Sequence, residues 1–424
     1  MKKRNGKPMF CILAAFLLTA CGFEPVGEQT SSELKPLLDN TTATTTTTTT
    51  ETTTTEPPEP EDPSVRVISV GDNLVQKHVY LAAQNWAADG TYDFTKSYEN
   101  ITDVIALGDI RMINQETLIA NDQYEISGSN FNFNSPTQLG EELMDVGFNV
   151  ITMANNHLLD KGIGGLEATL DYWDKMKETN DITVLGAYRD AEDMNRLRTM
   201  EVNGMTVAFL AYTEHINGYK VPSDSPVEVV LTSELEVMQE QIESAKRVAD
   251  AVIVSVHWGV EDTHYVPEER KMLAQDMVNW GADVIVGTHT HTAETMEYIT
   301  RADGTQGFVF YSLGNFISAQ TDNFNCVGEM ADFTLTVDLE TCEVIVSDVQ
   351  VIPVITHYDN GQFKDLRLYP YYMYTSALAD SHGLPVAPLG TAKDFSMDVI
   401  NRIIDENIPK EFQQLGIPDG ITYP

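Results

Sequence analysis

Six short β-rich runs in this chain each end in a polar cluster, and that regularity restricts the fold more than any other feature of the sequence. Val65–Val70 leads into Gly71-Asp72-Asn73, and Val104–Leu107 into Gly108-Asp109, with Asn114 and Glu116 just beyond. Asn149–Met153 leads, after Ala154, into Asn155-Asn156-His157, and Ala251–Val256 into His257-Trp258-Gly259. Asp283–Val286 leads into Gly287-Thr288-His289-Thr290-His291, and Phe308–Tyr311 into Ser312-Leu313-Gly314-Asn315. Amphipathic helical stretches alternate with the runs, which indicates an α/β protein. In open α/β sheets the carboxyl ends of the strands line the ligand crevice, so these clusters are expected to converge there.

The helices have legible ends. Ser135-Pro136 fits an N-cap and N1 pair, with Leu139, Leu143 and Met144 on one face beyond it. Ser233 and Glu236 have the spacing of a capping box, and Pro267–Trp280 reads as a helix that stops at Gly281.

The chain begins differently. Lys2, Lys3, Arg4 and Lys7 precede an apolar run from Met9 to Ala20. That run is too short for the hydrocarbon core, which needs roughly 20 residues, so residues 1–20 read as a signal peptide. Its end, Leu18-Thr19-Ala20-Cys21, resembles a bacterial lipobox, which makes Cys21 the expected lipidated residue of an extracytoplasmic, membrane-anchored protein. Residues 21–64 read as a disordered Thr/Pro/Glu-rich linker. Thr41 to Thr55 is threonine throughout except for Ala43 and Glu51, and such a segment buries too little apolar surface to offset its ordering entropy. The main domain is expected over 65–355. Residues 356–424 read as a C-terminal extension packed on it, ordered near Tyr369–Tyr374 and helical around Asp398–Ile404.

A formal charge of −38 argues against nucleic acid as a partner and against electrostatic docking on anionic lipid. Outside the export segment two cysteines remain, Cys326 and Cys342; whether they pair stays open, because spacing does not fix the distance between their Cα atoms.

The chemistry lies in the conjunction of the clusters. His157, His257, His289 and His291, with Asp72, Glu116 and Asn156, all fall at or just past strand ends. Imidazole nitrogens with carboxylate and amide oxygens suit a borderline divalent ion such as Mn²⁺, Zn²⁺ or Fe²⁺, one or two of them. In Ala154–Gly162, ANNHLLDKG, His157 and Asp160 stand three apart, so a helical turn brings their side chains together. Asp160 then either orients His157 as an acid–base pair or caps the helix that follows.

The order of GDN at 71–73, NQE at 114–116, NNHLLDKG at 155–162, HWGVE at 257–261, GTHTH at 287–291 and YSLGNF at 311–316 resembles the CapA, or poly-γ-glutamate capsule biosynthesis, family. Tyr92-Asp93-Phe94 is similar to that family's pattern as well. The resemblance covers roughly residues 65–320. It implies a metallophosphoesterase-like, four-layer α/β/β/α sandwich with a role in capsule polymer synthesis or export, and capsule polymer and other capsule-synthesis proteins as partners. By the same resemblance Asp72 is the first metal-ligand aspartate and Glu116, or Asn114, stands where metallophosphoesterases place a bridging carboxylate. Asn156, His257, His289 and His291 are the later metal ligands, and His157 with Asp160 the acid dyad. Asn73, Asn114, Asn155, Glu261 and Asn315 are expected in substrate-binding or supporting places. The departure is Leu74, where metallophosphoesterases usually carry a histidine, so one ion position lacks a ligand. Two further readings stand beside the capsule role: an exported phosphoesterase or nucleotidase acting on a small substrate, and a non-catalytic polymer-binding scaffold.

The lipobox yields a direct expectation: lipid label should be incorporated into the wild type and vanish in Cys21→Ala. Wild-type protein released unlabelled into the medium would reject the anchor.

Overall fold

The computed structural model describes residues 62–120 and 123–422. The signal peptide, Cys21 and nearly all of the linker lie outside the described residues. From the N-terminus the strands are β1 (Ser64–Asn73), β2 (Ile110–Asn114), β3 (Ser127–Ser129) and β4 (Asn132–Asn134). Next come β5 (Val150–Thr152), β6 (Thr183–Leu185), β7 (Arg198–Val202), β8 (Met205–Thr213), β9 (Ala251–His257) and β10 (Val284–Thr288). The rest are β11 (Met296–Thr300), β12 (Gln306–Phe310), β13 (Asn315–Ile317), β14 (Val327–Val337), β15 (Val344–Asp359) and β16 (Lys364–Pro370).

Two sheets carry the fold. One runs β16-β15-β14-β1-β2-β5-β6, with β13 also pairing β1; the other runs β11-β12-β10-β9-β8-β7. In the first, β1, β2, β5 and β6 are parallel, and β14 to β16 extend the sheet antiparallel from β1. In the second, β8, β9, β10 and β12 are parallel, with β7 and β11 antiparallel at the edges.

Side-chain alternation assigns the layers. In β8 and β9, Val207, Phe209, Ala251 and Ile253 join one core with Val67, Met112, Ile113 and Phe333 of the first sheet. The intervening Ala208, Leu210, Val252 and Val254 pack instead with Met238, Ile242, Ala274 and Met277, from the helices Leu235–Lys246 and Glu268–Trp280. A strand buried on both faces needs such a cover on each side. Helices Lys77–Trp86, Gln138–Val146 and Gly162–Lys177 cover the first sheet through Val79, Ala83, Leu139, Leu143, Leu166 and Trp173. The result is an α/β/β/α sandwich.

Four local expectations are corrected. Val104–Leu107 is not a strand: Thr102–Ile105 is a helical turn, and the strand bearing Asn114 is β2. A short apolar run suits either period, and here Asp109 sets the strand start, its carboxylate accepting from the Arg66 N–H at 2.9 Å. Ser135 is not an N-cap, since its hydroxyl is engaged with that of Thr117 at 2.7 Å and the helix starts at Gln138. No capping box forms at Ser233; the helix starts at Leu235, and the carboxylate of its N-cap residue, Glu234, accepts from Leu231 N–H. Finally, β15 runs through residue 356 and β16 completes the first sheet, so the boundary at 355/356 falls inside a strand. Beyond β16, the helix Met397–Asn407 is capped by Ser396 and buries Val399, Ile400, Ile403 and Ile404 in the same core. Cys326 is buried and Cys342 exposed, and both are free thiols.

Two glycines hold the site-bearing strand ends close together. Asp72 N–H donates to Gly314 O at 2.9 Å, and a Cβ on Gly71 would lie 1.9 Å from that oxygen. A Cβ on Gly287 would lie 1.9 Å from Tyr311 O. Gly287→Ala must push β10 and the residues after β12 apart, and should destabilise the protein by about 1–3 kcal/mol or more, the usual cost of overpacking. Denaturant melts of the two proteins check this; equal midpoints would show that the contact relaxes freely.

Candidate metal centre

The parallel strands of both sheets end at one place. Asp72 closes β1 beside Asn114 at the end of β2, and Asn156 and His157 follow β5. Across from them Thr213, His257 and Thr288 stand in register on β8, β9 and β10. His289 and His291 follow directly, both with positive φ, 97° and 57°. Such a conformation costs a non-glycine residue of order 1–3 kcal/mol and persists where the surroundings enforce it. Here His289 N–H donates to Asp72 Oδ2 at 3.0 Å, which fixes the loop to the opposite sheet.

Asp72, Glu116, Asn156, His157, His257, His289 and His291 are all buried and lie together. His257 Nε2 is 3.1 Å from Asn156 Oδ1 and 3.1 Å from His289 Nδ1, while its Nδ1 is 2.9 Å from the Thr288 hydroxyl. Glu116 Oε1 sits in the middle, 3.7 Å from His291 Nε2, 3.8 Å from His257 Nε2 and 3.9 Å from His157 Nε2. Neither Glu116 oxygen has a hydrogen-bond partner, nor does Asn114 Oδ1. His291 Nδ1 approaches Asp72 Oδ2 to 3.2 Å but is not aligned as a hydrogen bond.

The electrostatics follow from that packing. Burial, then the Asp72 charge, pushes Glu116 well above the usual carboxylate range. Burial opposes charge on His291, yet the Glu116 and Asp72 carboxylates outweigh it and raise its pKa to about 10. Burial, with His291 beside it, drops His289 to about 2 and holds His257 well below its ordinary value. Two carboxylates thus draw positive charge onto His291, while the His257 and His289 rings present unprotonated nitrogens. Asp72, Glu116 and His291 can each place one donor atom within 4.8 Å of the others, a group that could hold a metal ion. Orphaned carboxylate oxygens and neutral imidazoles fit a divalent cation.

His157 Nδ1 lies 2.9 Å from Asp160 Oδ2, and Phe133 N–H donates to that same oxygen at 2.7 Å. The helix after it, Gly162–Lys177, starts from Lys161 with no side-chain cap, so Asp160 serves the imidazole and not the helix. The Phe133 ring packs edge-on against His157 at 4.5 Å.

The remaining expected residues are placed around this centre. Asn114 Nδ2 donates to Asp72 Oδ1 at 2.7 Å, and Asn155 Oδ1 accepts from His157 N–H at 2.9 Å. Asn73 is held by Gln115 and Tyr98, and Asn315 Nδ2 donates to Gln320, to Asn325 O and, at 3.5 Å, to His291 O, with its own Oδ1 buried and unpartnered. Glu261 is exposed, although its charge is felt at Glu116 and His291. Leu74 is buried at 2% exposure.

His215 and Asn217 belong to the centre and were not anticipated. The His215 ring is 5.0 Å from that of His289, and Asn217 Oδ1 accepts from Asn156 Nδ2 at 3.3 Å. The signal was in the sequence: β8 also runs into a polar cluster, Thr213-Glu214-His215.

These features define a two-sheet α/β protein with a buried carboxylate–histidine centre able to hold a metal. The family described as bacterial capsule synthesis protein PGA_cap matches residues 66–320, and the chain belongs to that family. The PGA biosynthesis protein CapA of Bacillus subtilis (strain 168) is 30% identical over 269 residues, 61% of this chain and 67% of that protein. The capsule biosynthesis protein CapA of Bacillus anthracis is 28% identical over 267 residues, 61% of each chain and thus under two-thirds of that relative's length. A crystal structure described as a novel phosphatase, from Mycoplasma pneumoniae, is 18% identical and aligns with a TM-score of 0.38, covering 70% of this chain and 95% of that one. The chain is a CapA-like capsule biosynthesis protein.

Glu116→Gln tests the centre, because it removes the orphaned charge while keeping the shape. In chelator-treated protein the substitution should leave the melting temperature unchanged or raised. Added Mn²⁺ should stabilise the wild type by about 2.7 kcal/mol at a hundredfold excess over its dissociation constant, and Glu116→Gln far less. Equal Mn²⁺ stabilisation of both proteins would place the ion elsewhere.

Proposed function

We propose that this protein acts outside the cytoplasm, anchored through Cys21, and serves capsule polymer synthesis or export through a metallophosphoesterase-type centre holding one or two divalent ions, Mn²⁺, Zn²⁺ or Fe²⁺. The observation that carries this reading is the Glu116 carboxylate, buried with no donor on either oxygen and surrounded by His157, His257 and His291. Leaving such a group unpaired costs several kcal/mol, a cost a cation offsets. Asp72, Glu116 and His291 would hold one ion; Asn156, His257 and His289, with Glu116 shared, would hold a second. Buried Leu74 offers no donor to the first position, which favours loose or single occupancy there.

A bound divalent ion would polarise an ester oxygen and stabilise negative charge developing on it. The chain's own residues supply the proton and its direction. Asp160 keeps a proton on His157 Nδ1, so Nε2 turns toward Glu116 and the pocket. Phe133 N–H pins Asp160 in turn, which leaves the imidazole one orientation. When the ring is doubly protonated, Nε2 carries the second proton and can give it to a departing oxygen, the general-acid step of ester cleavage, which leaves the neutral ring with its Nδ1 proton on Asp160. Asn155 and Asn217 brace the same segment.

Metal content and turnover on generic phosphodiesters, measured together, test this. His157→Ala should lower turnover about 10²- to 10⁴-fold with metal content retained, whereas His289→Ala should lose both. Metal-replete wild type that is inert on every phosphoester would move the role to polymer binding, and wild type that takes up no metal would remove the catalytic reading.

A further inference from the structure

The segment after β8 holds a half-buried histidine that neither the ion positions nor the acid pair employs. Thr213 ends the strand, and Glu214, His215, Ile216 and Asn217 follow it. Each of these residues is fixed. Glu214 N–H donates to His257 O at 2.9 Å, and Glu214 Oε2 accepts from Gly259 N–H at 2.7 Å. The Thr213 hydroxyl donates to His215 O at 2.9 Å, and Ile216 is buried in the main core. Asn217 Oδ1 accepts from Asn156 Nδ2 at 3.3 Å. The loop is therefore bonded to two residues of the centre itself, His257 and Asn156.

The His215 ring meets the His289 ring at 5.0 Å and 81°, so it stands at the edge of the centre. It is near enough that charge on it opposes charge on His257 and His289. Those two rings are buried, whereas His215 is only half-buried and within reach of a ligand from solvent. Its two nitrogens are not equivalent. Nδ1 accepts from Asn217 N–H at 3.3 Å. An accepting nitrogen carries no proton, so in the neutral ring the proton sits on Nε2. Among the described residues Nε2 has no hydrogen-bond partner, and the atom is open to solvent. A nitrogen that holds its proton cannot ligate a metal ion, but it can donate to an anion.

We propose that His215 binds the substrate's anionic group, its Nε2–H donating to a non-bridging phosphoryl oxygen of a phosphoester brought to the centre. The proposal rests on the metallophosphoesterase-type reading given above and adds to it the residue that recognises the oxyanion. Hydrogen bonds to a charged oxygen are about twice as strong as neutral ones. The bonds that hold Glu214 to Asn217 also set the donor in place beforehand, so little ordering is left to oppose binding.

Mn²⁺ uptake, followed by calorimetric titration of the Mn²⁺-loaded full chain with inorganic phosphate, tests it. His215→Asn keeps an amide near the Nδ1 position to take the Asn217 N–H, and removes the outer donor. His215→Gln carries an amide N–H out to the Nε2 position. Both variants should take up Mn²⁺ as the wild type does. His215→Asn should weaken phosphate binding about tenfold or more, and His215→Gln by less. Loss of Mn²⁺ uptake in His215→Asn would make the ring a metal ligand and overturn the anion role. Unchanged phosphate binding in His215→Asn overturns it too. So does His215→Gln binding as weakly as His215→Asn, since the loop's shape would then be the cause. All three results leave the metal centre standing. Wild type that takes up Mn²⁺ yet binds no phosphate overturns the contact and spares the metal site. Wild type that takes up no Mn²⁺ overturns the proposal together with the reading beneath it.

Discussion

The carboxylate of Glu116 is the group around which the rest of the molecule is arranged. It is fully buried, neither oxygen meets a donor, and three imidazoles stand within 4 Å of it. A group of this kind survives in a protein interior only where its surroundings are built to receive positive charge. The raised pKa of His291 and the depressed ones of His257 and His289 are the same fact seen from the neighbours: one ring shares the charge, and the others are left as nitrogen donors.

Geometry explains how seven ligand-type residues from five segments come to one spot. Each sheet has a parallel half, and the carboxyl ends of both halves point the same way, so the residues following them face one another across the sandwich. Close approach depends on absent side chains at Gly71 and Gly287. The positive φ of His289 and His291 completes the arrangement, because it lets two residues of one loop turn inward. The hydrogen bond from His289 N–H to Asp72 ties that strained loop to the sheet opposite.

Much of this was legible in the sequence. Polar clusters after β-runs identified Asp72, Glu116, Asn156, His157, His257, His289 and His291, because a strand end is a positional rule that side-chain chemistry then annotates. The rule failed where the run itself was misread: Val104–Leu107 is a helical turn, and four apolar residues do not distinguish the two periods. His215 and Asn217 went unnoticed although they follow β8 by the same rule. Asn73 and Asn315 sit at strand ends yet serve the backbone and neighbouring amides, a distinction that only three-dimensional hydrogen bonding makes. The continuation of the first sheet through β15 and β16 could not be read either, since strand order depends on contacts remote in sequence.

The pairing of β1 with β14 bears on how such a chain can be built. Arg66 and Asp332 form a bidentate ion pair across 266 positions of sequence, and Ser64 to Val70 lie in register with Thr336 to Met330. The strand that begins the domain therefore lies at the centre of its sheet, with one edge reserved for a segment made near the end. Closing a loop of that length is slow and precedes its reward. A chain emerging N-terminus first keeps β1 half-paired, an open edge and a site for mispairing, until the last quarter of the sequence arrives. Completion of the fold is thereby tied to completion of delivery: a truncated chain cannot pass as a finished one.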